Sequence, residues 1–444
     1  MMRSKKRSSA ILSVILAASL LFGCGASKET GTDKTANITA SSDITESPAT
    51  TESPASSESQ VVTEPSTVPE SSVTSESVDT TGSETLIESA ADEGSENEVS
   101  EYIAAMPLED KVAQLFYVAP EAITGVDTVT MAGATTQQAL ADNPVGGILY
   151  FGANIVSRNQ LMSMISNTKS YSKYPIFIGT DEEGGTVKRI AGSAIEAEDS
   201  LVKDVGTMKS VGAAGDASKA RDAGQTIGCY LHELGFNMDF APVAGVLTDP
   251  ENKTIGTRSF GSDPELDAAM VAQFTDGLHA EDVLSCEKHF PGLGDTNVDT
   301  HTGEATTQRS LDDMRTTDFI SFGGGIDAGT DFVMVGHVSC PNVTGNNTPA
   351  SLSEKMITEV LRGELGYDGI VITDSLQMGA VTRYYSSGEA AIKTIQAGAD
   401  MLLMPEDYHE AYEAVLNAIN DGTISEERID ESLKRIYKVK LKLK

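Results

Sequence analysis

Residues 370–375 of this 444-residue chain read Ile-Val-Ile-Thr-Asp-Ser, and this stretch shows the pattern on which the fold prediction rests. Its three β-branched apolar residues are consecutive, whereas a strand with one wet face would alternate apolar and polar residues. Such a run predicts a strand buried on both faces, as in a parallel sheet. Residues 353–365 before it and 390–397 after it have helical spacing of apolar residues. The unit therefore predicts an α/β fold.

Seven further segments of the chain resemble this strand. They are LFYVA (115–119), GGILYF (146–151), IFIGTD (176–181), NMDFAPV (237–243), LSCEKHF (284–290), FVMVGHV (332–338) and MLLMP (401–405). Helical patterns lie between them, for example at 268–279 and 408–420. Eight β-then-α units predict a single (β/α)8 TIM-like barrel. A doubly wound open sheet is the alternative, although the first strands lack the G-x-G-x-x-G turn of a dinucleotide site.

Polar residues gather at one end of these segments. Those at or just before the carboxyl ends of different strands are Asp181, Asp239, Lys288, His289, His337 and Asp374. All strands of a barrel point the same way, so these side chains are expected at one mouth, which is where active sites form in this fold. For His337 we expect a supporting hydrogen bond and no contact with substrate. The distribution predicts an enzyme without specifying its reaction.

The segment KHFPGLGDTNVDTH (288–301) is the densest in polar groups. Its proline and glycines predict an irregular loop after the fifth strand. Asp299 and His301 are two residues apart, which in extended chain puts both side chains on one face. An imidazole held by a carboxylate can donate or accept a proton near neutral pH. The pair could equally be structural, and these residues alone leave both interpretations open.

The same fourteen residues resemble the signature K-H-F-P-G-x-G-D-T-x-x-D-[ST]-H of the NagZ-type β-N-acetylglucosaminidases in glycoside hydrolase family three. Four further blocks are similar to those of the family and occur in the same order: DEEGGTVKR (181–189), NMDFAPV (237–243), IGTRSFGSDP (255–264) and VITDSLQMGAV (371–381). The resemblance covers roughly residues 101–440. It implies an exo-acting, retaining hydrolase that releases terminal β-linked N-acetylglucosamine from peptidoglycan fragments, without a cofactor.

The resemblance also implies roles for single residues. Asp374 would be the nucleophile that forms a glycosyl-enzyme ester. His301, assisted by Asp299, would be the general acid/base where most glycosidases use a second carboxylic acid. The terminal sugar would be bound by Asp181, Arg189, Arg258, Lys288 and His289. Structural alternatives stay open, with Asp374 as a helix N-cap and the sugar-binding residues as ion pairs of the rim.

Three other functions are alternatives to this one. A metal-dependent hydrolase would be expected to have an H-x-H or H-x-x-x-H pair, which the chain lacks, so no metal is expected. A cell-wall-binding lipoprotein without turnover would be expected to have lost its nucleophile or proton donor. A phosphorylase with the same residues remains open, because a neutral histidine repels a phosphate acceptor less than a carboxylate does.

The first hundred residues differ in composition from the rest of the chain. A basic start and an apolar run predict a signal peptide over residues 1–24, and its end, LFGC (21–24), resembles a lipobox, which implies lipid on Cys24. Residues 25–100 are rich in Ser, Thr, Glu and Pro, with sixteen acidic residues against two lysines. They predict a disordered, extended tether. Residues 101–444 would then be a catalytic domain, expected as a monomer anchored at the extracellular face of the membrane.

The formal charge of −34 argues against one class of partner. Such a charge repels phosphate backbones, so nucleic acid is not expected. The remaining cysteines show no C-x-x-C spacing and lie in apolar segments. They predict small core residues and no disulfide framework or zinc site: Cys229, Cys286 and Cys340.

Overall fold

The structure, a computed structural model, describes residues 96–296 and 303–443. The predicted signal peptide, Cys24 and nearly all of the tether lie outside this range, as do Asp299 and His301. The described residues form an α/β fold in which parallel strands alternate with helices. No helix within them is long and apolar enough to cross a membrane.

Eight strands follow the eight segments that the sequence predicted, and we number them in chain order. They are β1 (Phe116–Val118), β2 (Gly147–Leu149), β3 (Phe177–Thr180), β4 (Met238–Asp239), β5 (Cys286–Phe290), β6 (Phe332–Val335), β7 (Ile370–Thr373) and β8 (Leu402–Leu403). Every residue in them is buried. Burial on both faces explains why the segments are unbroken apolar runs.

The eight strands pair in parallel. One sheet has the order β8-β1-β2-β3-β4, and a second has the order β5-β6-β7. Isolated parallel bridges join the two sheets on both sides: Met238 to Leu284, Val243 to Lys288 and Ile372 to Met401. Each strand therefore neighbours the next one along the chain, and the last neighbours the first. Their carboxyl ends lie at one common edge.

Helices connect these strands. In chain order they comprise residues 96–104, Leu108–Ala113, Pro120–Thr124, Ala134–Asp142, Arg158–Tyr171, Ile195–Glu198, Met208–Gly212, Ser218–Leu234, Pro264–His279, Leu311–Arg315, Asp318–Asp327, Pro341–Thr344, Lys355–Glu364, Gly379–Thr382, Ser387–Ala397, Tyr408–Asn420 and Glu426–Lys440. The helix predicted at 408–420 has these bounds. The segment predicted at 353–365 is a π-helix, Lys355–Glu364. Short 3-10 turns are Gly152–Asn154, Gly256–Arg258 and Ala350–Leu352.

Local sequence determines several helix ends. The Asp407 carboxylate accepts the Glu410 N–H at 3.0 Å and caps the helix Tyr408–Asn420. The helix Ser218–Leu234 ends at Gly235, whose φ of 96° lies in the left-handed region that glycine adopts at low cost.

The folded part begins before the predicted boundary. The tether was predicted to reach residue 100, but residues 96–104 are helical, and Val99 and Ile103 are only 4% and 2% exposed. These two apolar residues are four apart and share one helical face. Two such residues within a polar segment are too few to predict a helix from the sequence. The ring of Tyr102 lies 5.0 Å from that of Tyr437, so this helix packs on the last helix of the chain.

Aromatic side chains pack against one another between the strands. Tyr117 of β1 lies 5.2 Å from Phe240, measured between ring centroids, and its ring passes Gly147 of β2 and Gly179 of β3. A Cβ at either glycine would lie within 2.5 Å of the tyrosine ring or its hydroxyl. The two glycines therefore make room for a large core residue. Among the cysteines, Cys286 and Cys340 are buried as predicted, and Cys229 is partly exposed.

Candidate active site

A cavity of about 440 Å³ opens at the carboxyl edge of the strands. Six of the eight residues assigned to the site from the sequence line it together: Asp181, Arg189, Arg258, Lys288, His289 and Asp374. Their individual roles stay predictions. The other two residues, Asp299 and His301, lie outside the described range.

Asp374 directly follows β7 and faces this cavity. Its backbone N–H donates to the carbonyl of Val335 in β6 at 2.9 Å, and its Oδ1 accepts the Ser375 N–H at 2.7 Å. Burial raises the pKa of this carboxyl, but His289 and His337 and the Ser375 N–H outweigh burial and lower it. Asp374 is therefore a fixed, ionised carboxylate at neutral pH, which is the state that a nucleophile needs.

His337 contacts the backbone next to Asp374, on the side away from the cavity lining. Its Nε2 lies 2.8 Å from the carbonyl oxygen of Ser375, and its Nδ1 lies 2.7 Å from Oγ of Ser351. A carbonyl oxygen can only accept, so Nε2 carries the proton in this arrangement. The imidazole fixes the backbone beside Asp374 and does not line the cavity. This agrees with the supporting hydrogen bond expected for His337.

Two cations and two carboxylates form a charged network on one wall of the cavity. The Lys288 ammonium lies 2.9 Å from Oδ1 of Asp181 and 2.7 Å from Oε1 of Glu183. Arg258 donates to both oxygens of Glu183, at 2.7 Å from Nε and 2.8 Å from Nη2. Burial disfavours the charge on Glu183, but Arg258 and Lys288 outweigh burial and lower its pKa to about 2. The network therefore stays fully ionised at neutral pH.

Arg189 adds a further cation to the lining. Its Nη2 lies 3.3 Å from Oδ2 of Asp181, and its guanidinium carbon lies 5.7 Å from the centroid of the Phe151 ring. Its Nε is buried and has no hydrogen-bond partner among the described residues. An unmet donor in a cavity lining is available to an oxygen of a ligand.

A short antiparallel hairpin, Glu182–Gly184 with Val187–Lys188, contains Glu183 and is flanked by Asp181 and Arg189. It is held by Glu182, whose carboxylate accepts the backbone N–H groups of Arg189, Ile190 and Ala191 at 2.6 to 2.8 Å. Gly184 and Gly185, with φ of 86° and 61°, form its turn. The hairpin was not predicted, because its residues are polar and its strands have three and two residues.

Asp239 and Glu183 mark where the sequence prediction was incomplete. Asp239 was placed at the rim, but it is fully buried, accepts the Glu182 N–H at 2.9 Å on Oδ1 and does not line the cavity. Burial raises the pKa of Asp239 well above its usual range. Glu183 was not assigned a role, although it is the partner shared by Lys288 and Arg258. The only sequence signal for it was its place inside the DEEGG block.

Hydrogen bonds hold the described residues on both sides of the segment that contains Asp299 and His301. The Asn252 amide donates to the carbonyls of Leu293 and Thr296 at 2.6 and 2.8 Å. The Thr307 hydroxyl donates to Oδ2 of Asp295 at 2.5 Å. Asn252 lies more than forty residues away in sequence, and such a distant brace leaves no local signal.

The remaining lining is largely apolar. It comprises Leu149, Phe151, Val187, Met334, Met378, Leu403 and Met404, with Ser375 and Gln377 as further polar residues. A cavity with fixed charges and apolar contacts suits a ligand that carries hydroxyls on an aliphatic ring. In the described part of the chain, no three His, Cys, Asp or Glu side chains are arranged to hold a metal ion.

Most of the chain matches a known protein family. Residues 107–439 match the model described as the glycosyl hydrolase family 3 N terminal domain. The chain belongs to glycoside hydrolase family 3. The relationship inferred from the KHFPG segment is thereby confirmed, and the matched region contains all eight residues assigned to the site.

Several relatives of this family 3 chain are named β-hexosaminidases. It is 31% identical over 328 residues to β-hexosaminidase A of Pseudoalteromonas piscicida, covering 67% of this chain but 54% of the relative. It is 33% identical over 281 residues to a β-hexosaminidase of Stenotrophomonas maltophilia, covering 62% and 81%. A solved family 3 β-N-acetylglucosaminidase from Paenibacillus superposes with a TM-score of 0.69 at 36% identity, covering 75% of this chain and 62% of that one.

Proposed function

We propose that this protein is a β-hexosaminidase, more narrowly a retaining exo-β-N-acetylglucosaminidase acting on peptidoglycan fragments. One observation carries the proposal: the ionised carboxylate of Asp374 lies in the same cavity as the charged network of Asp181, Glu183, Arg258 and Lys288. The names of the β-hexosaminidase relatives support the choice of sugar.

The reaction follows from the residues in two steps. The Asp374 carboxylate attacks the anomeric carbon while the bond to the leaving oxygen breaks, and His301 gives that oxygen its proton. His301, held by Asp299, then removes a proton from water, which attacks the glycosyl ester and frees Asp374. Two displacements at one carbon retain its configuration. Acid/base assistance of this kind contributes roughly 10²–10⁴ in rate.

The charged network would bind the terminal sugar. Asp181 can accept from hydroxyl groups, while Lys288 and Arg258 donate. The buried Nε of Arg189 offers a further donor to a hydroxyl or to the N-acetyl carbonyl. A cavity of about 440 Å³ is at the small end of ligand sites, which favours enclosure of one terminal sugar over a long glycan chain.

The proposal extends to architecture and location. The cyclic order of strand neighbours supports a closed (β/α)8 barrel with the site at its carboxyl mouth. The composition of residues 1–100 supports a secreted lipoprotein that is cleaved before Cys24, lipidated there and tethered outside the membrane as a monomer. Peptidoglycan fragments would then be within reach.

The first experiment measures hydrolysis of 4-nitrophenyl β-N-acetylglucosaminide by the full chain, beside the matching β-glucoside. Activity on the N-acetyl sugar that EDTA leaves unchanged and Asp374→Asn abolishes is the expected result. A rate that rises with phosphate, with sugar 1-phosphate as product, would replace hydrolysis by phosphorolysis. Tight binding of N-acetylglucosamine without turnover by the folded protein would replace the enzyme by a cell-wall-binding protein.

A further inference from the structure

A second cavity, of about 520 Å³, lies at the amino edge of the strands. Its lining includes Asn237, Leu284, Asp331 and Gly369, which immediately precede β4, β6 and β7 or lie just before β5. It is therefore at the opposite edge from the candidate active site. In folds of this type the amino edge ordinarily contributes stability and not catalysis, so an open cavity there calls for a separate explanation.

Three lysines line this amino-edge cavity. Lys169 comes from the last turn of the helix Arg158–Tyr171, and Lys438 and Lys442 come from the end of the chain. Among the described residues no carboxylate oxygen lies within 4.0 Å of any of their ammonium groups. The chain has 66 acidic and 32 basic residues, so acidic partners are plentiful elsewhere. Three unpaired ammonium groups around one cavity concentrate positive potential there.

The carboxylates of the same lining do not cancel this charge. Asp331 is occupied by His279, whose Nε2 lies 2.8 Å from its Oδ2, and by the Ser285 N–H at 3.0 Å. Burial lowers the pKa of His279, but the bond to Asp331 outweighs burial and raises it, which favours the charged imidazolium. Asp282 is the other acid of the lining. The lining thus has three lysines and an ion-paired histidine against two carboxylates, so its net charge is positive.

The same cavity has an apolar wall. Phe236, Val283, Leu284, Val439 and Leu443 line it. A small inorganic ion would leave these side chains uncovered, whereas an anion with an attached aliphatic part would contact both the ammonium groups and the apolar wall.

The amino edge is also the side at which the N-terminal segment joins the fold. The helix of residues 96–104 borders Lys434 and Lys438, since Glu96, Val99 and Ser100 line a small cavity together with these lysines. A lipid anchor upstream of residue 96 would therefore attach to the fold next to the lysines.

We propose that the amino-edge cavity binds a phosphate ester: Lys169, Lys438 and Lys442 hold the phosphate, and the apolar wall holds its aliphatic part. A phospholipid head group and a soluble alkyl phosphate share this chemistry. Bound lipid would hold the amino edge against the membrane and turn the carboxyl mouth of the strands outward. The inference does not depend on the proposed glycosidase activity.

The test uses the full chain with Cys24→Ser, so that attached lipid cannot cause membrane binding. Titration calorimetry with hexyl phosphate and co-sedimentation with phosphatidylglycerol/phosphatidylcholine vesicles are measured for this chain and for K438E/K442E. A matched control, K203E/K209E, reverses two lysines on the segment between β3 and β4, at the other edge. We expect at least about a tenfold loss of affinity in K438E/K442E and none in the control.

Each outcome decides one point. Binding of hexyl phosphate that K438E/K442E weakens shows that a soluble phosphate ester suffices. Binding to vesicles alone, with the same dependence on the lysines, identifies the lipid head group as the source. Absence of binding to both probes, or an equal loss in K203E/K209E, overturns the proposal. Thermal unfolding of each variant separates loss of binding from loss of fold.

Discussion

Arg258 and Glu183 form a two-point ion pair, with Nε 2.7 Å from Oε2 and Nη2 2.8 Å from Oε1. The Lys288 ammonium approaches the same carboxylate at 2.7 Å, and the Glu183 side chain is only 1% exposed. Glu183 therefore determines where two of the proposed sugar-binding cations lie. Its contribution is to position them, since both of its oxygens are occupied by Arg258 and Lys288.

Glu183→Gln tests this positioning role. The substitution keeps the shape but removes the charge that two buried cations share, and leaving buried charges uncompensated costs about 3–5 kcal/mol. We expect a lower melting temperature and at least about a tenfold fall in kcat/KM on 4-nitrophenyl β-N-acetylglucosaminide, with KM raised because the cations move.

Glu359→Gln is the matched control for this variant. Glu359 pairs with Lys355 on an exposed helix surface and is 57% exposed, so its loss is expected to change stability by less than about 1 kcal/mol. Full activity and an unchanged melting temperature in Glu183→Gln would show that the pair has no positioning role.

The sequence predicted the strands better than it predicted the charged network. A strand such as Ile370–Thr373 is recognisable because burial on both faces requires an unbroken apolar run. The carboxyl-end positions of Asp181, Lys288 and Asp374 followed from strand direction alone, and all three line the cavity. The family motif supplied the roles of Asp299 and His301, and these remain predictions.

Contacts between distant segments could not be predicted in the same way. Glu183 and Arg258 are 75 residues apart, and their pairing depends on how the seven-residue hairpin of residues 182–188 packs against a 3-10 turn. Asp239 is the last residue of β4 and points into a buried site, whereas Asp374 comes one residue after the end of β7 and faces the cavity. Successive side chains of a strand point to opposite faces, so an offset of one residue changes the direction, and the residue pattern does not specify a strand end that closely.

The acidic limb of the profile of kcat/KM against pH tests the environment of Asp374. His289 and His337 favour its charged form against burial and lower its pKa. His337→Gln keeps a donor for the Ser375 carbonyl but removes a positive charge at acidic pH, so the pKa of Asp374 rises. Activity that needs the carboxylate should then disappear at a higher pH than in wild type.

The measurement for this variant is kcat/KM against pH on the aryl glycoside. Ser351→Ala, which removes the hydroxyl at Nδ1 but keeps the imidazole, is the companion variant and should shift the limb much less. Coincident acid limbs for wild type and His337→Gln would show that His337 does not tune Asp374.

Glu287 of β5 and Asp267 of the helix Pro264–His279 are two buried, neighbouring acids, and they predict how stability depends on pH. Burial and the neighbouring Asp267 raise the pKa of Glu287, and burial raises that of Asp267 to about 8. Both groups keep their protons in the folded state but lose them in the unfolded chain above about pH 4. Stability from this pair is therefore present at acidic pH and falls as pH rises from about 4 to 8.

Glu287→Gln should reduce this loss. The amide cannot ionise, so the fall in melting temperature between pH 5 and pH 8 becomes smaller than in wild type. The side chain at position 287 is closely packed, since a Cβ on Gly325 would lie 1.2 Å from Oε1 of Glu287. Glutamine has nearly the same shape as glutamate and therefore fits the same space. Parallel melting curves for both proteins at all pH values would contradict a protonated Glu287 in the folded state.

The proton donor is tested through the leaving group. If His301 donates a proton to the leaving oxygen, His301→Ala should slow glycosides with alkyl or sugar leaving groups by roughly 10²–10⁴. Activated aryl glycosides, whose phenolate departs without help, should lose far less in the glycosylation step. Asp374→Ala should instead abolish turnover of both kinds, because no ester can form. The comparison uses kcat/KM for a nitrophenyl and an alkyl glycoside, and equal losses in His301→Ala would rule out the acid role.

Azide tests the base role of the same residues in the second step. It is an anionic acceptor that needs no general base, so it should speed breakdown of the glycosyl-enzyme in Asp299→Ala and His301→Ala. Faster breakdown with azide would confirm that these variants lack the base of the second step.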